Sequence, residues 1–350
     1  MPSNAFKRKS SGIRSPVFLI PAAAVSAAII GWSIFWFIAS RKTEQMLTAW
    51  VEREAATGRT WTCPERKIGG YPFELEISCV NPAFDGEFFG QKMAGTLKGF
   101  RATSPLMRPE SVIASFEPPF SAKGVDGALN LTLRWESLTL DLEGRPDALT
   151  RVSLSGEQVN AEGTLAGEPV AATLPDVRAA AIEAMDRHDG AYNVVLSTNG
   201  AILPALNHLS GSNLPWDVLT ESIVTQIDFL STGLLGARME SWRNAGGRVE
   251  VKRVRVASGN MRLDARGALK LDGEHRIEGR LDTGFSGLGP ILETLGIDPA
   301  IAAAGTFLTN FLGRRQDDDG TPKLPIPVTF ADGRLSVGPV RTSIRLPPLY

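Results

Sequence analysis

Soft metal ligands are scarce in this 350-residue chain: three histidines and two cysteines are all it has. His188, His208 and His275 fall in unrelated stretches, and none stands four residues from another ligand, so nothing in the spacing supports a metal site. There is no C-x-x-C, no phosphate-binding P-loop and no glycine-rich dinucleotide fingerprint. Gly284-Phe285-Ser286-Gly287-Leu288 misses the nucleophile-elbow pattern, because Leu288 stands where the second glycine belongs. Asp317-Asp318-Asp319-Gly320 lacks the alternate spacing and terminal glutamate of a calcium loop, so it reads as a solvated loop. His188 sits at a predicted helix end, where imidazolium complements the dipole. Asn130-Leu131-Thr132 matches a glycosylation triplet but falls inside a predicted strand. The chain therefore predicts no catalytic residue, no cofactor and no metal, and argues against an enzyme.

Charge of one sign is also lacking, with a net of −1 overall, but its distribution is uneven. Residues 1–42 carry six Lys or Arg and no acidic residue, whereas the remaining 308 carry 31 basic against 38 acidic side chains. An exterior of net −7 gives no general reason to bind nucleic acid.

What the chain does have is one long run free of charge. Val17 to Ile38 is 22 consecutive uncharged residues, enough at about 1.5 Å each to cross a hydrocarbon core of roughly 30 Å. The run is longer than a signal-peptide core, and Phe37-Ile38-Ala39 before Ser40 offers no small-residue cleavage site. Pro21 falls near its start, where a missing N–H does least harm. Lys7, Arg8, Lys9 and Arg14 precede the run, against Arg41 and Lys42 after it, and this bias predicts a cytoplasmic N-terminus. The organisation expected is a basic tail over 1–16, an uncleaved signal anchor over 17–38 and an amphipathic docking helix over 39–58. A β-rich region over 59–350 completes the chain, either one long domain or two tandem β units meeting near residues 165–200.

Cys63 and Cys79 both lie past the anchor, on the side assigned as oxidising. Strict alternation through Phe73-Glu74-Leu75-Glu76-Ile77-Ser78-Cys79 turns Cys79 inward with Phe73, Leu75 and Ile77. A Cys63–Cys79 disulfide is expected, closing a loop of about 15 residues.

Past the anchor, Met46, Leu47, Trp50 and Val51 form a helical stripe that Gly58 would end. From Trp61 onward the period falls to two. Leu129, Leu131, Leu133 and Trp135 alternate, then Leu138, Leu140 and Leu142, with further pairs at Val194/Leu196, Val249/Val251 and Leu269/Leu271. Glycine, aspartate or asparagine recurs every ten residues or so, the grammar of an antiparallel meander. Three helices are predicted among the strands, at Pro175–His188, Pro215–Leu230 and Ile291–Phe311. The fold class is mainly β (α+β): a transmembrane helix, then an extended curved antiparallel sheet with a few packed helices.

Several phrases recur together: Ile68-Gly69-Gly70-Tyr71-Pro72-Phe73 between the cysteines, Trp242 with Gly246-Gly247-Arg248-Val249, Gly267 to Asp272, Ala331 to Pro339, and Leu346-Pro347-Pro348-Leu349. They resemble an alphaproteobacterial family of membrane-anchored envelope proteins, the domain of unknown function numbered 2125. More distantly, an anchor followed by Gly-x-Leu-x-Leu strands is similar to AsmA-like proteins, which pair one inner-membrane helix with a long periplasmic β-structure of apolar concave face. The resemblance implies a periplasmic domain on the bacterial inner membrane, in envelope maintenance, with acyl chains held on the sheet. The alternative is an assembly module with a filled core, binding another envelope protein and no ligand. The partners expected are the inner membrane through residues 17–38, and either phospholipid or that envelope protein.

Overall fold

The computed structural model describes residues 16–88, 91–125, 127–145, 148–207, 213–229, 235–286 and 324–350. Helix α1 (Pro16–Ala56) runs 41 residues without a break, so the anchor and the docking helix are one rod of about 60 Å. It is long and apolar enough to cross a membrane, with a mean hydropathy of 1.9 over its most apolar stretch, none of which the protein buries. Its end has the geometry glycine permits. The Gly58 N–H donates to the Ala55 carbonyl and the Arg59 N–H to the Glu54 carbonyl, with Gly58 at φ +81°, a Schellman motif. The Arg59 guanidinium then folds back onto the Glu54 carboxylate at 2.7 and 2.8 Å, which holds Glu54 below the usual carboxylate range.

Eighteen antiparallel strands follow among the described residues. They are β1 (Thr60–Thr62), β2 (Glu65–Gly69), β3 (Glu74–Val80), β4 (Ala83–Phe88), β5 (Gln91–Pro105), β6 (Ser111–Gly124), β7 (Leu129–Arg134), β8 (Ser137–Arg145) and β9 (Ala148–Leu165). The second half holds β10 (Glu168–Glu183), β11 (Tyr192–Ala201), β12 (Trp216–Val224), β13 (Val249–Ser258), β14 (Met261–Leu271), β15 (Ile277–Ser286), β16 (Leu324–Ala331), β17 (Arg334–Val337) and β18 (Val340–Arg345). The sheet runs unbroken through residues 165–200, where β9 and β10 pair from Glu168↔Leu165 to Ile182↔Arg151. A ten-residue helix α2 (Leu235–Asn244) fills the β12–β13 connection.

Two predicted helices are strands instead. Residues 175–188 hold the end of β10, which pairs with β9 on one side and β11 on the other. Their run of alanines favours a helix only when no ladder competes; two flanking strands supply hydrogen bonds for every second residue on each side. Residues 215–230 hold β12, where Trp216, Leu219 and Ile223 matched a helical spacing by coincidence and the β11 and β13 ladders decide. The third predicted helix, 291–311, lies outside the described residues.

One line of irregularities crosses the sheet. β3–β4 break at Asn81-Pro82 along β5 and β7–β8 at Trp135-Glu136 along β9, and β1–β2 break at Cys63-Pro64 beside the β3–β4 break, β1 pairing with β4 and β2 with β3. Between them β6 carries Pro118-Pro119 at a register shift opposite Lys98. The line continues through Gln158 (φ 51°), through Pro175, and into the shift between Thr198 and Ala201. Proline has no N–H to give a ladder, so five prolines at matching heights crease the sheet instead of ending it. Apolar positions change parity there: 129, 131 and 133 give way to 138, 140 and 142, and 170, 172 and 174 to 177, 179 and 181. Leu174 nevertheless packs with Val256 around Trp216, Ala201 and Met261, and Ala179 shares its cross-strand row with Val254, two residues from Val256 on the same side, so one face stays apolar across the crease.

An aromatic ladder helps tie α1 to this sheet, and a disulfide ties the first strands to one another. An aromatic ladder runs from Trp50 of α1 to Trp61, Phe84 and Phe120 at centroid separations of 5.6, 5.5 and 6.0 Å. Phe84 reaches Phe120 across β5 only because Gly95 is there; a Cβ at that position would sit 2.4 Å from the Phe84 ring. The Cys63–Cys79 disulfide, with Cα atoms 5.9 Å apart, joins the β1–β2 break to the end of β3. Gly95→Ala is therefore expected to destabilise the fold by about 1–3 kcal/mol through overpacking. Cys63→Ala with Cys79→Ala should cost about 2–4 kcal/mol from the unfolded-chain entropy it releases. Urea midpoints of the full chain in detergent test both, and an unchanged midpoint in either variant refutes its half.

Candidate functional site

The strand registers place one side chain per strand in line across thirteen strands. The row begins Ile68–Ile77–Ala102–Ala114–Leu140–Leu154–Ala179. It continues Leu196–Thr220–Val254–Ala265–Thr283–Ile326, so eleven of its members are apolar and two are threonines. At about 4.8 Å per strand the row is roughly 57 Å long. Adjacent residues point to the opposite face, where the parallel row reads Lys67, Ser78, Arg101, Ser115, Thr139, Ser155, Arg178, Ser197, Leu219, Arg255 and Asp264. The sheet is amphipathic over almost its whole width.

A sandwich or a filled barrel would bury that apolar row. Here only Ala114, Ala265 and Thr283 of the thirteen are buried, and Leu196 is 45% exposed. Among the described residues the buried apolar set is mostly alanine and a few large aromatic residues, with Leu106 as its sole leucine. The one compact cluster, Ala201, Trp216 and Met261, sits at the far end of β11, β12 and β14. The long aliphatic side chains of β8 and β9 are therefore half-exposed, which a soluble sheet tolerates only where something apolar covers it.

Charge collects where the strands turn back on the side of the crease that holds the β2–β3 turn. Arg187, in the β10–β11 turn, donates to Asp189 at 2.6 Å and to Glu250 of β13 at 3.1 Å. Those guanidinium bonds, with Arg248 and Lys252 beside them, bring the Glu250 carboxyl down to about 2. Arg145 pairs with Glu183 at 2.9 Å across the neighbouring strand ends. The chain end is fastened here as well. The Tyr350 hydroxyl donates to Glu240 of α2 at 2.7 Å, its ring stacks on His275 at 4.4 Å, and the Leu349 N–H donates to the His275 carbonyl at 3.0 Å. Arg243, then Tyr350, holds Glu240 at about 2.

The residues singled out from sequence separate. Cys63 and Cys79 are bonded, and Cys79 is 2% exposed, as its alternation required. Phe73 does not share that inward face: β3 starts at Glu74, and Phe73 stands in the preceding turn, 68% exposed, with its ring 6.3 Å from Trp32. His188 is exposed in a turn, His275 is part of the chain-end clasp, and His208 lies outside the described residues. Asn130 is in β7; Asp317 to Asp319 lie outside the described residues. No group of three or more metal-ligating side chains occurs among the described residues. Sequence reasoning missed α2 and the crease, although its prolines were there to be read.

The sequence profile of a family described as uncharacterized protein conserved in bacteria (DUF2125) matches residues 36–344. The chain belongs to that family. No curated protein and no solved structure matches it. The match begins at Trp36, inside α1, so the DUF2125 unit contains the C-terminal half of the helix together with the sheet.

The clasp at Glu240 gives a pH prediction. A carboxyl held at about 2 in the folded chain, against an ordinary 4.5, contributes stability that is complete above 4.5 and lost as pH falls towards 2. Hydrogen exchange at the Leu349 amide, corrected for its intrinsic rate, should lose protection in that window. In Glu240→Ala the same amide should be unprotected already at pH 6; protection there refutes the clasp.

Proposed function

We propose that this protein is anchored in the bacterial inner membrane with its N-terminus in the cytoplasm, and that its sheet stands in the periplasm and holds acyl chains on its apolar face. The single observation that carries the reading is the apolar row across thirteen strands, ten of whose members are not buried. Hydrocarbon is the cover that fits it. An acyl chain gains about 0.8 kcal/mol for each CH₂ taken from water, needs no fixed polar partner, and can lie along any part of a continuous apolar strip. The polar reverse face suits water. A lipid role in the envelope is also what the distant likeness to AsmA-like proteins implies.

The supports for compartment are separate. The basic residues before the apolar run outnumber those after it, and a disulfide between the chain's two cysteines fits an oxidising space. Such a site asks for no acid, base or nucleophile. Its specificity would come from length and access along the face.

Native mass spectrometry of the full chain, released from detergent after purification from bacterial membranes, tests the reading. The expected result is phospholipid at a fixed stoichiometry, lost on delipidation, and reduced at least several-fold by Leu140→Glu with Leu154→Glu, which place two charges in the middle of the row. A chain free of lipid, or one whose lipid load ignores both charges, overturns it in favour of a module that binds another envelope protein.

A further inference from the structure

The turn between β2 and β3 sits against a part of α1 that belongs to its apolar run. The Trp32 indole N–H donates to the Pro72 carbonyl at 2.7 Å, and the Trp36 indole N–H to the Glu74 carbonyl at 2.8 Å. Trp36 also meets the Tyr71 ring edge-on at 5.6 Å. Trp32 lies six residues before Ile38, which places the turn about 9 Å inside the end of the uncharged run.

Most carbonyls of the turn are satisfied by the protein itself. The Gly70 carbonyl accepts from the Glu74 N–H at 2.9 Å, and the Phe73 carbonyl from the Leu106 N–H at 2.8 Å. With the two tryptophan bonds, the carbonyls of residues 70, 72, 73 and 74 all have protein donors, and Pro72 has no N–H to satisfy. The Tyr71 hydroxyl lies 2.9 Å from Ser33 Oγ. Ser33 gives its own hydrogen to the Ile29 carbonyl at 2.7 Å, so Tyr71 is the donor. A turn in water has no need of such partners, whereas backbone in a bilayer must have them. Yet the side chains on its outside are large, apolar and uncovered: Tyr71 is 53% exposed, Phe73 68%, and Met107 in the adjoining β5–β6 turn 76%.

Four satisfied carbonyls, bare apolar side chains turned outward, and a depth inside the uncharged run point to one occupant. We infer that the paired tips Tyr71-Pro72-Phe73 and Leu106-Met107 are embedded in the leaflet of the bilayer that faces the sheet, beside α1. This rests on α1 spanning the membrane. The depth is that of an interfacial segment, about 5–10 Å into the boundary between headgroups and acyl chains. Trp32, Trp36 and Tyr71 then form a local aromatic belt, with Arg41 and Lys42 above it at the height of the phosphates. The strand that follows the tip, β3, carries Leu75 and Ile77 on the apolar face, so the foot of that face meets the acyl layer directly.

The test places benzoylphenylalanine, a photo-cross-linker, singly at four positions of the full chain in vesicles of phosphatidylethanolamine and phosphatidylglycerol. Position 34 reports the helix inside the bilayer, 73 and 107 the two tips, and 125 an exposed turn at the opposite end of β6. Retention of the Cys63–Cys79 bond, read by mass, shows that each labelled chain is folded. The expected result is a lipid adduct at 34, 73 and 107 and none at 125. An adduct at 34 with none at 73 and 107 overturns the embedded tip while leaving the anchor standing. No adduct at 34 removes the spanning helix, and the tip with it. Adducts at 125 equal to those at 73 mean a sheet lying on the bilayer, which also overturns the tip assignment.

Discussion

Direct opposition of paired residues in an antiparallel ladder is the constraint on which this molecule depends. Two residues that face each other across a strand pair must lie on the same side of the sheet, and their neighbours on the other. A strand read alone, such as Leu138-Thr139-Leu140, shows only that one side is apolar. Thirteen strands locked in register make those sides add up, so the Ile68–Ile326 row follows from backbone hydrogen bonds and not from packing. The consequence is unusual for a soluble protein: the register fixes an apolar surface before anything covers it. Few members of that surface enter a buried core, and ladders such as β5–β6 and β9–β10 hold its strands in line.

The crease shows how the sheet bends without losing that surface. A flat sheet of this width would be an exception, since twist accumulates strand by strand. Prolines at 64, 82, 118, 119 and 175, with Gln158 in the left-handed region, interrupt the ladder at one height. At such a break the alternation can change phase. The sequence uses this: Leu129, Leu131 and Leu133 are odd, Leu138, Leu140 and Leu142 even. Had the phase not changed with the break, the apolar side of the outer half would face the polar side of the inner half. The packing of Leu174 with Val256 shows that it does not.

Much of this is legible in the sequence. The charge-free run, the period-two strands, the Gly58 stop and the pairing of the only two cysteines are short-range or exhaustive signals, and they held. The segments 175–188 and 215–230 were misread for a common reason. Alanine-rich or doubly apolar stretches carry little periodic information, and the flanking ladders that make them strands lie up to 40 residues away in sequence. Phe73 was misplaced because alternation was extended one residue past the start of β3 into a turn. The candidate surface was half legible: each apolar side could be read, but the common row needed thirteen registers, and no local pattern encodes a register. Helix α2 was hidden by a weak amphipathic stripe, Leu235 to Asn244, whose role is to hold Tyr350.

The relation of α1 to the sheet follows from the same economy of contacts. Trp32 against Pro72, Trp36 against Glu74, Thr48 against Arg66, Trp50 against Trp61 and Glu54 against Arg59 ascend along one helix while their partners descend from the β2–β3 turn through β2 and β1 to Arg59. The strands at that edge therefore run beside the helix and antiparallel to it. Each contact alone is small, since a hydrogen bond nets about 1 kcal/mol and an aromatic pair about the same. Their value is geometric: five contacts spread over 23 residues of one helix hold the edge of the sheet beside it at several heights. With the helix upright in a bilayer, the apolar face would rise from the membrane along its strands, with its foot at the turn that Trp32 and Trp36 hold. Anchor, turn and apolar face then form one continuous path, because the contacts that fix the sheet to the helix also set where that face begins.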